Sequence, residues 1–150
     1  AGTFDQGFAT VEYLAASLLD LDYHSAKENI KMDINEFERQ SVQKMGLIDA
    51  IIPRYRTTYF RHVFAGGYSA GYYSYIWSGV LDTDAFDAFK SSGDVFNKEK
   101  AAGFRKHILE KGGTEDPAEL YRRFRGHDPS IKPLLKKRGL VAPSVSVQEN

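Results

Sequence analysis

The chain has 150 residues, of which 42% are hydrophobic and 27% charged, and its 20 basic and 20 acidic side chains balance to zero net charge. This composition is typical of a globular domain with a continuous core, and zero net charge argues against a general affinity for nucleic acids or membrane surfaces. The absence of cysteine excludes disulfides and thiolate metal sites, which favours a reducing, cytoplasmic location. No apolar run is long enough to span a membrane, and no signal-peptide pattern is present. The chain begins without methionine, as expected of a processed product or a piece of a longer protein.

Helical periodicity defines the first elements of the chain. Residues Thr3 to Tyr23 predict a helix because apolar side chains recur with a 3.6-residue period, and His24 is expected to bond a backbone carbonyl or water at its end. Asn35 predicts the cap of a second helix from Glu36 to Met45, which Gly46 terminates. The apolar stripe of the first helix consists of Phe8, Val11, Leu14, Ala15, Leu18 and Leu19.

Four further helices are predicted in the second half of the chain. They run from about Ser69 to Phe89, from Phe96 to Glu110, from the cap Asp116-Pro117, and from the cap Ser130 to Gly139. Three aspartates, Asp82, Asp84 and Asp87, lack the glycine and glutamate of a calcium loop and predict a solvated helical face. Residues 141–150 predict a flexible tail. The expected fold is an all-α domain of about six helices over residues 1–140, without a repeat or a strand pattern.

The segment from His62 to Trp77 contains four tyrosines and three glycines and is the most distinctive part of the sequence. Gly66 and Gly67 suit a tight loop or the close approach of a ligand to the backbone. If a helix starts just after them, Tyr68, Tyr72 and Tyr75 share one face at positions i, i+4 and i+7. An aromatic stripe is commonly core packing, whereas three phenols that each need a hydrogen-bond partner favour a binding surface.

The charged and titratable residues do not form a recognisable reaction centre. The four histidines include no pair spaced four residues apart, as a helical zinc site requires, and no nucleophile motif or phosphate-binding loop is present. Three arginines, Arg54, Arg56 and Arg61, precede the tyrosines and are either exposed or able to hold a carboxylate. The sequence therefore predicts groups that bind and polarise a ligand, and no metal ligands.

Several stretches carry a resemblance to a known family. They are Thr3 to Ala15, His62 to Trp77, Gly112-Gly113 and Phe124-Arg125-Gly126. Over nearly its whole length the chain resembles the C-terminal part of an M3-family zinc metallopeptidase. Gly71, which precedes the paired tyrosines, is similar to the peptidyl-dipeptidase (dipeptidyl carboxypeptidase) branch of that family.

This resemblance implies a fold, a cofactor and a set of site residues. It implies that the chain is the helical C-terminal lobe of a two-lobed, zincin-type peptidase with a deep cleft. The zinc site of the family, His-Glu-Phe-Gly-His with a later glutamate, lies upstream of the matching segment, so the zinc ligands are absent from this chain. His62, Tyr68 and Tyr75 match residues that bind substrate and stabilise the transition state, with His62 and Tyr75 in catalytic roles. Tyr72 matches a further substrate-facing tyrosine.

Two hypotheses of different classes follow. The first is the substrate-binding and transition-state-stabilising segment of a zinc peptidase that removes C-terminal dipeptides from oligopeptides. Such a segment is inactive without the missing N-terminal catalytic part, and its exposed Phe8 to Leu19 stripe predicts self-association. The second is a non-catalytic helical peptide-binding module that uses the face of Tyr68, Tyr72 and Tyr75. Nucleic-acid binding is disfavoured because the basic residues concentrate at positions 98–138, away from the tyrosines.

Overall fold

The computed structural model describes residues 2–141, and within them all regular structure is helical. This confirms the predicted all-α class. The described residues form seven α-helices where about six were predicted, because a helix of four residues, α3, precedes the glycine pair. The helices are α1 (Gln6–His24), α2 (Ile34–Lys44), α3 (Arg61–Phe64), α4 (Ser74–Ser91), α5 (Lys98–Phe104), α6 (Pro117–Arg125) and α7 (Lys132–Arg138), with a 3₁₀ turn at Thr57–Tyr59 and a π-helical turn at Arg105–Leu109.

The chain divides after Ile76 into two compact units. The first contains α1, α2, α3 and the start of α4, and the second contains the rest of α4 and helices α5 to α7. The core of the first unit consists of Ala16, Phe60, Val63 and Tyr72, with Tyr13 and Tyr55 packed against it. Of the tail predicted at residues 141–150, all but the first residue lies outside the described range. Among the helices of residues 2–141, none has the length and apolar character needed to cross a membrane.

Helix α1 begins three residues later than predicted, and only Ala15 and Leu19 of its apolar stripe are buried. The His24 Nδ1 atom lies 2.9 Å from the Asp20 carbonyl oxygen, as expected of a helix-end histidine. The buried residues are Ala15, Ala16, Ser17, Leu19 and Asp20, whereas Phe8, Val11, Leu14 and Leu18 are exposed. Small side chains on the buried face allow a neighbouring segment to approach the helix closely. The bulkier part of the apolar stripe remains open on the surface of this unit.

Helix α2 begins earlier than predicted, and its cap is Asp33 rather than Asn35. The Asp33 carboxylate accepts hydrogen bonds from the backbone N–H of Asn35 at 2.9 Å and of Glu36 at 3.3 Å. Aspartate at this position satisfies amides that the first helical turn leaves without partners. On the inner side of α2, the buried Glu38 carboxylate accepts from the backbone N–H of Thr57 at 3.0 Å and from its hydroxyl at 2.9 Å. Glu38 therefore joins α2 to the 3₁₀ turn before α3.

Helix α4 begins at Ser74, so the predicted start near Ser69 is wrong; the preceding residues form turns. The predicted solvated face of aspartates is also wrong for Asp84, which is only 1% exposed. Its carboxylate accepts from the Tyr121 hydroxyl at 2.7 Å and from Arg125 Nε at 2.9 Å. These two side chains on α6 satisfy a charge that is too costly to bury alone.

Local signals were accurate for the start of α6 and the end of α7, whereas the predicted cap Ser130 is wrong because Ile131 is the residue that caps α7. The Asp116 carboxylate accepts from the backbone N–H of Ala118 at 2.8 Å and of Glu119 at 3.0 Å, so α6 begins at the predicted Asp-Pro pair. Helix α7 ends at Gly139, whose φ of 68° is in the left-handed region that favours glycine. The predicted helix at residues 96–110 is shorter, because the π-helical turn follows α5.

Candidate functional site

The candidate site is built around residues 66–73, here called the tyrosine loop, which connects α3 to α4. Gly66 is required because a Cβ atom there would lie 2.8 Å from the carbonyl oxygen of His62, and Gly67 has a φ of 80°. The N–H of Tyr68 donates to the same His62 oxygen at 3.0 Å, and the N–H of Gly71 donates to the Tyr68 oxygen at 2.8 Å. The predicted tight loop is present, but it includes the residues that were predicted to start a helix.

Tyr72 does not share a helical face with Tyr68 and Tyr75, as the sequence predicted. It is 4% exposed and lies in the core of the first unit, where its ring contacts the ring of Phe60 edge-on with 4.9 Å between centroids. Burial raises the pKa of Tyr72 to about 12. The Tyr72 ring also contacts the Tyr75 ring edge-on, with 5.5 Å between centroids, so the buried ring supports the exposed one.

Tyr68 and Tyr75 form an exposed aromatic pair. Their rings stack with centroids 5.2 Å apart, and the two residues are 36% and 46% exposed. The side-chain hydrogen bond with Tyr68 raises the pKa of Tyr75. The Tyr75 phenol therefore remains protonated near neutral pH and can donate a hydrogen bond.

The structure brings His62 to the same place. Its partly buried imidazole projects from the short helix α3, 6.1 Å from the ring of Tyr68 and 5.6 Å from that of Tyr72. Tyr55 packs on the imidazole at 5.0 Å. The structure thus places His62, Tyr68 and Tyr75 together, next to the rings of Tyr55 and Tyr72. The tyrosine loop brings them together, and not a shared helical face.

Asp20 and Tyr13 on α1 support the tyrosine loop, although neither role was predicted from the sequence. Asp20 is fully buried, and its two carboxylate oxygens accept from the backbone N–H groups of Ala70 and Tyr72, each at 2.9 Å. Ala70 has a φ of 54°, which is unusual for a residue with a side chain. Tyr13 donates its hydroxyl hydrogen to the Tyr72 carbonyl and stacks on the Tyr72 ring at 5.0 Å. The sequence did carry one signal for a buried Asp20, because this carboxylate lies within the otherwise apolar run Leu18 to Leu21.

The three arginines before the loop have different environments. Arg56 contacts the buried Glu38 carboxylate, so it takes part in the internal network that anchors the 3₁₀ turn. Arg54 is exposed, and its backbone N–H donates to the carbonyl oxygen of Glu12 at 3.1 Å. Arg61, on α3, is also exposed. A shared carboxylate site for all three is therefore wrong, because Arg56 already has an internal carboxylate partner.

These groups are suited to binding and polarising a peptide. Two phenols and an imidazole offer hydrogen bonds to carbonyl oxygens, while their rings offer apolar contact. Within residues 2–141 no three histidine, aspartate or glutamate side chains come together as metal ligands. The residues that the structure describes therefore do not fit a zinc site.

Comparisons with known proteins show which family the chain belongs to. The sequence model of "Peptidase family M3" matches residues 1–140. The chain is 42% identical to dipeptidyl carboxypeptidase of Escherichia coli (strain K12) over 142 residues, which are 93% of this chain and 21% of that protein. It is 48% identical to oligopeptidase A of the same organism over 81 residues, covering 54% of this chain and 12% of that protein. It is also 31% identical to saccharolysin of Saccharomyces cerevisiae over 134 residues, or 87% of this chain and 18% of that protein.

The chain spans about a fifth of the length of the dipeptidyl carboxypeptidases that it matches. M3 peptidases are zinc enzymes, and the match extends through both compact units. The tyrosine loop and its neighbours lie within the matched region. We conclude that the chain belongs to peptidase family M3.

Proposed function

We propose that this chain is the substrate-binding and transition-state-stabilising segment of a peptidyl-dipeptidase. The observation that carries the proposal is the exposed, stacked pair of Tyr68 and Tyr75 beside His62, on a loop held by buried hydrogen bonds. A site on a rigid support keeps its donors in place without reorganisation during the reaction, which is the basis of electrostatic catalysis. The substrate class is an oligopeptide.

The proposed division of labour follows from exposure and protonation. Attack on the scissile carbonyl leaves negative charge on its oxygen, and the protonated Tyr75 phenol donates a hydrogen bond to that oxygen. Tyr68 stacks on Tyr75 and offers a second phenol to the peptide backbone. His62, whose ring centroid lies 6.1 Å from that of Tyr68, holds the substrate backbone. Tyr72, being buried, acts as the support of this set.

Release of dipeptides is proposed from the similarity to proteins named dipeptidyl carboxypeptidase, which extends over 93% of the chain. Gly71 before the paired tyrosines is in keeping with that branch. The zinc ion of the complete enzyme is proposed to be held by residues outside this chain, so the chain alone is inactive. We also propose that the complete enzyme is cytoplasmic.

The test is the substitution Tyr75→Phe in the complete protein encoded by the gene. This change removes one donor and keeps the ring, so we expect kcat for release of C-terminal dipeptides to fall by about 10²–10³, with KM nearly unchanged. Steady-state kinetics on a blocked tetrapeptide, with zinc content equal to that of the parent enzyme, provides the measurement. His62→Ala serves as the comparison and is expected to raise KM as well as lower kcat. A Tyr75→Phe enzyme with kcat within about threefold of the parent removes Tyr75 from the mechanism.

A second candidate function is a peptide-binding module without catalysis. It is favoured by the fact that His62, Tyr68 and Tyr75 all lie within the first compact unit. Binding of oligopeptides by the 150-residue chain, combined with an absence of peptidase activity in the complete protein, is the result expected for this candidate. Peptidase activity of the complete protein would instead support the first candidate, the segment of a peptidase.

We also propose that the isolated chain self-associates through the exposed side of α1. Phe8, Val11, Leu14 and Leu18 lie on that side, and apolar patches of this kind are commonly covered by a partner surface. In the complete protein the same patch is proposed to pack on the missing catalytic part. Sedimentation velocity at micromolar to millimolar concentration is expected to show oligomers that Leu18→Lys disperses. A parent chain that sediments as a monomer over this range contradicts the proposal.

A further inference from the structure

A buried carboxylate from a distant part of the chain binds the tyrosine loop at two backbone amides. Asp20 is fully buried in the middle of α1, and its Oδ1 atom lies 2.9 Å from the backbone nitrogen of Ala70. Its Oδ2 atom lies 2.9 Å from the backbone nitrogen of Tyr72. The two amides flank Gly71, so one carboxylate fixes the backbone on both sides of that residue.

The remaining contacts of Asp20 orient the carboxylate itself. His24 Nδ1 lies 2.8 Å from Asp20 Oδ1 and 2.9 Å from the Asp20 carbonyl oxygen. Both oxygens are acceptors, so Nδ1 carries the hydrogen in this arrangement. Asp20 thus accepts hydrogen bonds from two backbone amides and one imidazole N–H. Together these bonds stabilise a carboxylate that would be costly to bury alone.

The loop conformation that Asp20 selects is not one that the local sequence favours. Ala70 has a left-handed φ of 54°, which a residue with a Cβ atom adopts only when surrounding contacts determine it. Tyr68 lies two residues before Ala70, and α4 begins at Ser74, just before Tyr75. The stacking of Tyr68 on Tyr75 therefore depends on the backbone path between them, which the Asp20 hydrogen bonds define.

We infer that Asp20 is a positioning residue for the site: by binding the Ala70 and Tyr72 amides, it places Tyr68 and Tyr75 in the stacked arrangement that acts on substrate. This inference rests on the proposed function, since it assigns Asp20 an effect on turnover through Tyr75. Asp20 touches no substrate, and its effect is transmitted by the backbone of the tyrosine loop.

Asp20→Asn in the complete protein is the test variant. Asparagine keeps the size of the side chain but has one acceptor oxygen, so its NH₂ group must face the amide of either Ala70 or Tyr72 and leave that amide without an acceptor. We expect kcat to fall by about 10–100-fold, because small misplacements of catalytic groups have effects of this order, while KM stays within about threefold. Hydrogen exchange of the peptide covering residues 66–73 should become faster.

Asp22→Asn is the matched control. Asp22 is on the same helix, and its carboxylate accepts from the Ser41 hydroxyl at 2.7 Å and from Lys44 Nζ at 3.0 Å, both on α2. This variant removes a carboxylate from α1 without altering the hydrogen bonds of the tyrosine loop. We expect its kcat and its exchange at residues 66–73 to match those of the parent enzyme.

A double-mutant cycle with Tyr75→Phe separates positioning from general destabilisation. If Asp20 acts through Tyr75, adding Asp20→Asn to Tyr75→Phe lowers kcat by less than about threefold further. The inference is overturned if Asp20→Asn alone keeps kcat within threefold of the parent, or if its full effect persists in the Tyr75→Phe background. If Tyr75→Phe itself leaves kcat unchanged, the proposed function fails first, and the catalytic role of Asp20 fails with it.

Tyr13→Phe provides a second variant if Asp20→Asn does not fold. It removes the hydroxyl that donates to the Tyr72 carbonyl while preserving the stacking of the two rings. Because the Asp20 contacts remain, we expect a smaller fall in kcat, of about 3–10-fold, that also disappears in the Tyr75→Phe background. An unchanged kcat in Tyr13→Phe, with Tyr75→Phe strongly impaired, counts against positioning by α1.

Discussion

Two buried aspartates, one in each compact unit, have different kinds of partner. Asp20 on α1 is fully buried and accepts two backbone N–H groups from the tyrosine loop, besides the ring of His24. Asp84 on α4 is 1% exposed and accepts from two side chains, the Tyr121 hydroxyl and the Arg125 guanidinium. Both carboxylates have strong partners, as a buried charge requires.

The difference lies in what each aspartate holds. Hydrogen bonds to backbone amides determine the path of a chain segment, so Asp20 sets the conformation of residues that have no regular structure of their own. Hydrogen bonds to side chains of α6 join α4 to α6, so Asp84 contributes to the packing of two helices. Burial opposes the ionisation of Asp84, but the hydrogen bonds from Arg125 and Tyr121 outweigh it and lower the pKa of Asp84. The first aspartate is therefore expected to matter for activity and the second for stability.

The largest effect on the free energy of unfolding is expected from Asp84→Ala, which tests the role of Asp84 in stability. Removing the carboxylate leaves the Arg125 charge, whose side chain is 12% exposed, without its partner. We expect the free energy of unfolding to fall by about 3–5 kcal/mol, the range for breaking a buried ion pair. Chemical denaturation followed by the fluorescence of Trp77, the only tryptophan and part of the same unit, measures this change.

Asp82→Ala is the control for that experiment. The Asp82 carboxylate is exposed and lies 3.6 Å from Lys137 Nζ, so its loss should cost less than about 1 kcal/mol. In the complete protein, folded Asp84→Ala enzyme should retain the kcat of the parent, in contrast to Asp20→Asn. The comparison breaks down if Asp84→Ala costs under about 1 kcal/mol, or if it lowers kcat as Asp20→Asn does.

A smaller effect is expected at high pH from Tyr72, the buried tyrosine whose amide Asp20 binds. Burial raises the pKa of Tyr72 from 10 to about 12. The contribution of the neutral phenol to stability is fully present below pH 10 and is lost as the pH rises through about 12. Tyr72→Phe should therefore lose less stability between about pH 9 and pH 11.5 than the parent chain, as measured by circular dichroism during denaturation.

Tyr73→Phe is the matched control, since Tyr73 is the next residue and is exposed. This variant should lose as much stability at high pH as the parent chain. Equal losses in the Tyr72→Phe variant and the parent would mean that burial of Tyr72 does not oppose its ionisation. In that case Tyr72, and the tyrosine loop with it, would not be packed tightly against the core.

The sequence by itself determined the helices whose signals are local. The 3.6-residue spacing of apolar side chains predicted α1, and the Asp116-Pro117 pair predicted the start of α6. Gly139 predicted the end of α7, because only glycine adopts a left-handed backbone there without strain. In each case the residues that decide the structure are within one or two helical turns of it. The grouping of His62 with Tyr68 and Tyr75 came from the family resemblance, whereas the helical face predicted for Tyr68, Tyr72 and Tyr75 is wrong.

Only the tertiary structure decided which side of α1 is buried and where α4 begins. Periodicity identifies an apolar face but not its partner, and the buried side of α1 carries Ala16 and Asp20 rather than the bulkier stripe. The residues before Ser74 do not continue α4, because the backbone at Ala70 is left-handed, with a φ of 54°. Asp20, 50 residues earlier in the chain, binds the amides of Ala70 and Tyr72 in that conformation. A hydrogen bond over that separation has no local signature, since it exists only when α1 and the tyrosine loop pack together.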